Sequence, residues 1–445
     1  MESIFLSQCF PDGRPERRKS TPVQSGFSRQ LSSVALEKVL LHGNKVTSLD
    51  LRLRFDRLSA LGQLFQFSGP FVERPSIYRE GSTGMEDWEK TRELWRDLPS
   101  LRELFVHRYP ILINRLTAPN LTHLAPDKAG PGRDITVQLI LDVLRGCPLL
   151  ETLFIAQSDT PQGSTRDCSP VSLPHLRSIE LGAREARSVL ITRILFPPSV
   201  SVGFRIRHES DVWNHSPLTS TATMEHVLGR ADVRCITLAV GSPGSLRGRG
   251  FLVRLEWLCG SLEITYPLET DGSARGSFFR RILYSCPSAH IKSVKELHLV
   301  GCFFEGDLEL RHIHATLSNI VSISLFHYEG AHTFGFLTPT DPSSPPFPHL
   351  ERIMVLGPES GLKEVVRRRK VHGVPLKTLI LGRGTGRFEY SHENHDALRV
   401  FVDDLRIGCP TEILEWGTEN EVLNVWSTGD TPGPVSPNRK LMILD

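Results

Sequence analysis

The apolar positions of this chain recur in a fixed phrase. Pro99-Ser-Leu101-Arg-Glu-Leu104-Phe-Val106 sets the pattern P-x-L-x-x-L-x-Φ, with Φ aliphatic. Pro148-Leu-Leu150-Glu-Thr-Leu153-Phe-Ile155, Pro174-His-Leu176-Arg-Ser-Ile179-Glu-Leu181 and Pro348-His-Leu350-Glu-Arg-Ile353-Met-Val355 repeat it. Shorter copies stand at Pro119–Leu124, Val294–Leu299, Ile320–Leu325 and Leu376–Leu381, and Val46–Leu51 begins the series. Neighbouring copies from Leu101 are offset by 20, 29 and 26 residues, and those from Leu297 by 26, 30 and 26. The period-two end of each phrase predicts a short strand with one buried face. Between strands, Ile135–Arg145, Ser277–Tyr284 and His395–Arg406 carry apolar residues at helical spacing, the first stopped by Gly146.

One such unit cannot bury its own apolar face, so neighbours must stack to make a core. The expected fold class is therefore α/β: an irregular leucine-rich-repeat solenoid, or horseshoe, with parallel strands stacked on the concave face and helices and loops on the convex face. It should span residues 31–425, between a disordered tail at 1–30 and a loose tail at 426–445, both rich in proline and polar residues. The proline-rich segment 338–348 reads as an exposed loop. Residues 203–277 fit the phrase poorly; only Val233–Leu238 and Leu262–Ile264 suggest strands there.

Charge narrows the classes of partner. With 52 Lys+Arg against 50 Asp+Glu the net charge is +2, which argues against nucleic acid, since phosphate binding needs a basic excess. No apolar run approaches the ~20 residues that span a bilayer, so no membrane partner is expected. The N-terminus lacks a secretory h-region, which points to the cytoplasm. Arg367-Arg-Arg-Lys370 reads as the solvated face of a helix, with nuclear import or a phosphate contact as alternatives. The eight cysteines include no C-x-x-C pair, and three sit in the context Cys-Pro at 147, 286 and 409, where a small apolar side chain suits a corner.

Catalytic motifs do not emerge. The run Gly241–Gly250 lacks the G-K-[ST] of a phosphate loop, and Gly382-Arg-Gly-Thr-Gly386 lacks dinucleotide-binding spacing. His392-Glu-Asn-His395 is not H-E-x-x-H, with no helix expected there, and His312-Ile-His314 is a weak metal signal. No G-x-S-x-G elbow occurs. The expectation is a non-enzyme with no cofactor, no metal and no catalytic residues. The rival reading is an enzyme built within 203–277.

Leu173-Pro-His-Leu-Arg-Ser-Ile-Glu-Leu181, the following Leu190–Val200 and Arg145-Gly-Cys-Pro-Leu-Leu-Glu-Thr-Leu153 resemble the F-box/leucine-rich-repeat proteins of mushroom-forming fungi. That resemblance implies a protein-binding repeat domain and, in the family, an F-box that engages a Skp-type adaptor of a cullin ubiquitin ligase. An F-box opens with a phrase like L-P-x-E-[IL]-L, whereas both Leu-Pro pairs here, Leu98-Pro99 and Leu173-Pro174, lie inside repeats. The main functional expectation is thus an interaction scaffold for another protein, and the alternative is a substrate-recognition subunit of such a ligase. Side chains between the motif leucines should face the concave surface. This selects Glu103, Phe105, His107, Phe154, Glu180, Glu296, His298, Arg352, Met354 and Ile380 as partner-binding candidates, with Phe105, Phe154, Met354 and Ile380 as exposed apolar anchors.

Overall fold

A computed structural model describes residues 4–8, 46–54, 74–80, 100–107, 118–127, 137–155, 168–182, 190–205, 221–229, 232–240, 250–267, 282–300, 313–326, 334–356, 361–382 and 392–408, with gaps at 315, 340 and 342–343. The chain is mixed α/β and divides into two compact units, Met1–Arg205 and Ile206–Asp445. Unit 1 holds β1 (Ile4–Gln8), β2 (Val46–Arg54), β3 (Arg74–Glu80), β4 (Glu103–His107), β5 (His123–Asp127), β6 (Thr152–Ile155), β7 (Val171–Ser172), β8 (Ser178–Gly182), β9 (Ile194–Leu195) and β10 (Ser201–Arg205). Strands β2 to β6, then β8 and β10, are neighbours in sequence order and parallel. Strand β1 joins β2 antiparallel, so residues 4–8 are a strand and not part of a disordered tail. Strands β7 and β9 form a small ladder of their own. The helix expected over Ile135–Arg145 is α1 (Val137–Arg145), which buries Val137, Ile140, Leu141 and Leu144. The tail at 426–445 lies outside the described residues.

Unit 2 comprises α2 (Thr221–Leu228), β11 (Cys235–Val240), β12 (Gly250–Trp257), β13 (Gly260–Pro267), α3 (Ser288–Lys292), β14 (Glu296–Val300), β15 (Ser322–Phe326), β16 (Arg352–Leu356), α4 (Leu362–Val371), β17 (Thr378–Gly382), α5 (His392–Arg399) and β18 (Asp404–Gly408). Its sheet runs β13-β12-β11-β14-β15-β16-β17-β18, antiparallel across β11–β12–β13 and parallel from β11 onward through β14. The poorly patterned middle of the sequence is therefore this antiparallel portion with α2 before it.

Two backbone devices explain why the phrase fixes the strands. First, its proline is the second residue of a β-turn. Leu121 N donates to Ala118 O (3.0 Å), Leu150 N to Cys147 O (3.2 Å), Leu176 N to Leu173 O (3.2 Å) and Leu350 N to Phe347 O (3.0 Å). A pre-set φ near −65° suits that position. The residue opening each turn is buried, which accounts for Cys147 before Pro148. Second, the carbonyl after the first leucine of one copy accepts two successive N–H groups of the next. Arg102 O receives Thr122 and His123, Thr122 O receives Glu151 and Thr152, and Glu151 O receives Arg177 and Ser178. In unit 2 the acceptors are Arg234, Lys295, Val321 and Glu351. These bonds lock register, so every motif leucine falls on one sheet face. Leu104, Leu153, Ile179, Leu297, Ile323, Ile353 and Leu379 are all nearly inaccessible there. Each buried aliphatic side chain of this size contributes about 1.5–3 kcal/mol.

Three expectations in unit 2 are corrected. Within 338–348, Phe347 is fully buried in left-handed backbone at φ +48°, and Phe336 and Leu337 just before the segment are buried too. The Phe347 ring meets the His314 ring edge-on at 4.7 Å. This segment is pinned into unit 2, because Arg369 Nη1 donates to Pro346 O (2.8 Å) and Nη2 to Phe347 O (3.0 Å). The basic run is accordingly not one solvated face: Arg369 is 0% exposed, Lys370 Nζ donates to Val400 O (2.7 Å), and Arg367 and Arg368 pair with Glu364. Helix α4 stops at Val371, and two residues on Gly373, with a φ of +75°, lets Val374 N bond back to Arg369 O. Finally, α5 begins at His392 and stops at Arg399. The helix expected to reach Arg406 gives way to β18, where Leu405 and Ile407 align with Leu379 and Leu381. Among the described residues no helix is long and apolar enough to cross a membrane.

Candidate functional site

The face opposite the leucines carries the candidates, and the two units treat it differently. In unit 1 the register aligns Glu103 with His123, Thr152 with Ser178, and Phe105 with Ala125. Phe154 pairs with Glu180, and Glu180 with Gly203. Phe105, Ala125, Phe154 and Glu180 thus stand in one row across β4, β5, β6 and β8, with Gly203 of β10 at its end. Glu103, Phe105, Phe154 and Glu180 are all half-buried. At ~4.8 Å per strand, Phe105 and Phe154 are about 10 Å apart. Glu180 leans over Gly203: a Cβ there would sit 3.4 Å from Glu180 Cγ. His123 Nδ1 lies 2.9 Å from Thr122 Oγ1. His107 closes β4, and its side chain lies outside the described residues.

In unit 2 the matching face is closed. Met354 and Ile380 are 2% and 1% exposed and belong to a cluster with Ala239, Leu252, Val300, Phe326 and Leu356. They are core residues, against the expectation of exposed anchors. The cause is the company they keep: on this face Val300, Phe326 and Leu356 align across β14, β15 and β16 beside Met354 and Ile380. Even the polar His298 and Ser324 in the Met354 row are 2% exposed, so both sheet faces are buried there. Arg352 is half-buried and its Nε donates to Ser322 Oγ at 3.1 Å.

One end of the same face is polar. Cys235, Glu296 and His298 offer a sulfur, an oxygen and a nitrogen that all lie within 4.8 Å of one another, the one such group of metal-capable donors among the described residues. His298 is 2% exposed and its Nδ1 has no hydrogen-bond partner, while Nε2 lies 3.5 Å from Glu296 Oε2. The neighbouring His298 side chain foremost, with a smaller contribution from the charge of Arg352, holds the Glu296 carboxyl below its ordinary range against the opposing effect of burial. Burial, helped by the charges of Glu256 and Glu296, pushes the Cys235 thiol well up. Arg254 faces the cluster too and pairs with Glu256 at 2.7 Å.

The chain matches no known family model and no curated protein.

The remaining sequence candidates resolve into structure. Burial pushes the Cys147 and Cys286 thiols up to about 12, in keeping with packing roles at their corners. His314 stacks among Phe336 and Phe347 and is pushed down to about 4 by burial, so it is neutral at pH 7. His312 lies outside the described residues, as does Gly241–Arg249; Gly382 ends β17. His395 is buried inside α5. Sequence reasoning selected Glu296 and His298 for a partner surface and gave Cys235 no role. The available signal was the Glu-x-His alternation on β14, which puts both on one face.

Proposed function

We propose that the chain is a non-enzymatic interaction scaffold that binds another protein through the face of unit 1 opposite its leucines. The observation that carries this is the half-exposed row Phe105, Ala125, Phe154 and Glu180, which sits at the positions that unit 2 closes. Two aromatic rings beside acidic groups on a strand-built platform combine large apolar contact area with charge selectivity, the makings of a binding hot spot. The repeat-spaced turns and the paired acceptor carbonyls support the finer reading of an irregular leucine-rich-repeat solenoid. A surface of that kind is wide and rigid, as recognition requires.

Affinity capture from native lysate with the wild-type chain and with Phe154→Asp tests the proposal. A reproducible partner is expected with the wild type and lost with a folded Phe154→Asp variant. Equal recovery by both would overturn it. The same experiment with residues 1–40 removed addresses the ubiquitin-ligase alternative: a Skp-type adaptor and cullin captured only by the full chain would favour the substrate-recognition subunit.

A further inference from the structure

Cys235 and Glu296 are paired directly across β11 and β14, and His298, two residues beyond Glu296, shares their face. Three different donors therefore converge from two neighbouring strands to within 4.8 Å of one another. The ring nitrogen turned to Glu296 is His298 Nε2, while the other, Nδ1, has no hydrogen-bond partner. The 3.5 Å between His298 Nε2 and Glu296 Oε2 is long for a charge-assisted bond of about 2.7–2.9 Å. It is close to the ~3.3 Å that separates two tetrahedral ligands on a zinc ion with bonds of ~2.0–2.1 Å.

We propose that Cys235, Glu296 and His298 form a binding site for a zinc-class divalent ion, with a further position left to water beside half-buried Glu296. A thiolate, an imidazole and a carboxylate match such an ion and do not suit magnesium or calcium, which take oxygen donors. On binding, the Cys235 S–H bond breaks, its proton leaves to solvent and the sulfur electron pair is donated to the metal. His298 binds as neutral imidazole and Glu296 as carboxylate. The local charge suits a dication. The thiolate, Glu296 and Glu256 are three anions against the Arg254 and Arg352 guanidinium groups, and Arg254 is already held by Glu256 at 2.7 Å. Burial keeps the metal-free thiol protonated, so the ion itself generates the thiolate. The bound ion ties β11 to β14, where the antiparallel portion of the unit 2 sheet meets its parallel portion. This site is separate from the unit 1 face and does not rest on the scaffold reading.

The test uses the full chain, stripped with EDTA and titrated with cobalt(II). One ion per chain is expected, with thiolate-to-cobalt charge-transfer absorption that zinc(II) abolishes by displacement. Zinc(II) should also raise the melting temperature, reversibly with EDTA. Cys235→Ser should remove the charge-transfer band, and Glu296→Gln and His298→Gln should each weaken binding by more than about ten-fold. Cys259→Ser, at the exposed tip of the β12–β13 hairpin, should change neither. Circular dichroism verifies each fold; if Cys235→Ser does not fold, Glu296→Gln at its half-buried position decides. The proposal is overturned by a folded wild-type chain that takes up no stoichiometric cobalt, by a band that survives Cys235→Ser, or by unchanged affinity in Glu296→Gln.

Discussion

Units 1 and 2 use the same phrase, turn and carbonyl ladder, yet the sheet face opposite the leucines is half-open in one and core in the other. In unit 1 that face holds Phe105, Ala125, Phe154 and Glu180, an alternation of large, small and charged side chains. In unit 2 it holds Val300, Phe326, Leu356, Met354 and Ile380 on adjacent strands, all buried. The lesson is that the motif leucines decide register and one face only. The other residues of each strand decide whether the second face is buried within its own unit or stays half-open.

The comparison can be broken most forcefully at Arg369, which has no buried counterpart among the described residues of unit 1. Arg369→Ala leaves the carbonyls of Pro346 and Phe347 without their buried donors and opens a cavity. A loss of about 3–5 kcal/mol in denaturant unfolding is expected. The leucine face should respond alike in both units: Ile179→Ala and Ile353→Ala, each fully buried, should each cost about 2–4 kcal/mol. A clear inequality between them would deny that the phrase does the same work in both.

Acid should sharpen the contrast. His314 has its folded pKa lowered from 6.5 to about 4, so the unfolded chain binds its proton first. Stability from this group is complete above about pH 6.5 and falls as pH drops toward 4, by up to about 3 kcal/mol. Thermal unfolding between pH 7 and 4 should show the loss, and His314→Leu should flatten that part of the profile. The smallest effect is expected at Glu364, whose carboxylate is held down to about 2 by Arg367 and Arg368 at the surface of α4. Glu364→Gln should leave the melting temperature essentially unchanged, since exposed ion pairs contribute little.

Much of the strand architecture was legible because leucine spacing and proline turns are local signals. Pro148-Leu-Leu150 announces both a turn and a strand start within three residues. The antiparallel portion was not legible: β12 and β13 pair through a two-residue connection, Leu258-Cys259, without the Asn-Gly or Asp-Gly that usually marks one. Strand β18 was hidden because Asp403-Asp-Leu-Arg406 continues the apolar spacing of α5. The closed face of unit 2 was missed for a different reason. Met354 alternates with Ile353 whether or not anything covers it, so its burial is a tertiary fact. Cys235 and His298 meet only through the β11–β14 register, which no local pattern encodes.

The most direct measurement compares Phe154→Asp with Met354→Asp by thermal unfolding. A carboxylate at Met354 enters a dry apolar cluster, so that variant should lose more than about 3 kcal/mol or fail to fold. A carboxylate at Phe154 stands on a half-open face and should cost at most about 1–2 kcal/mol while abolishing partner capture. Equal destabilisation of the two variants would contradict the account, because the second face would then be core in both units.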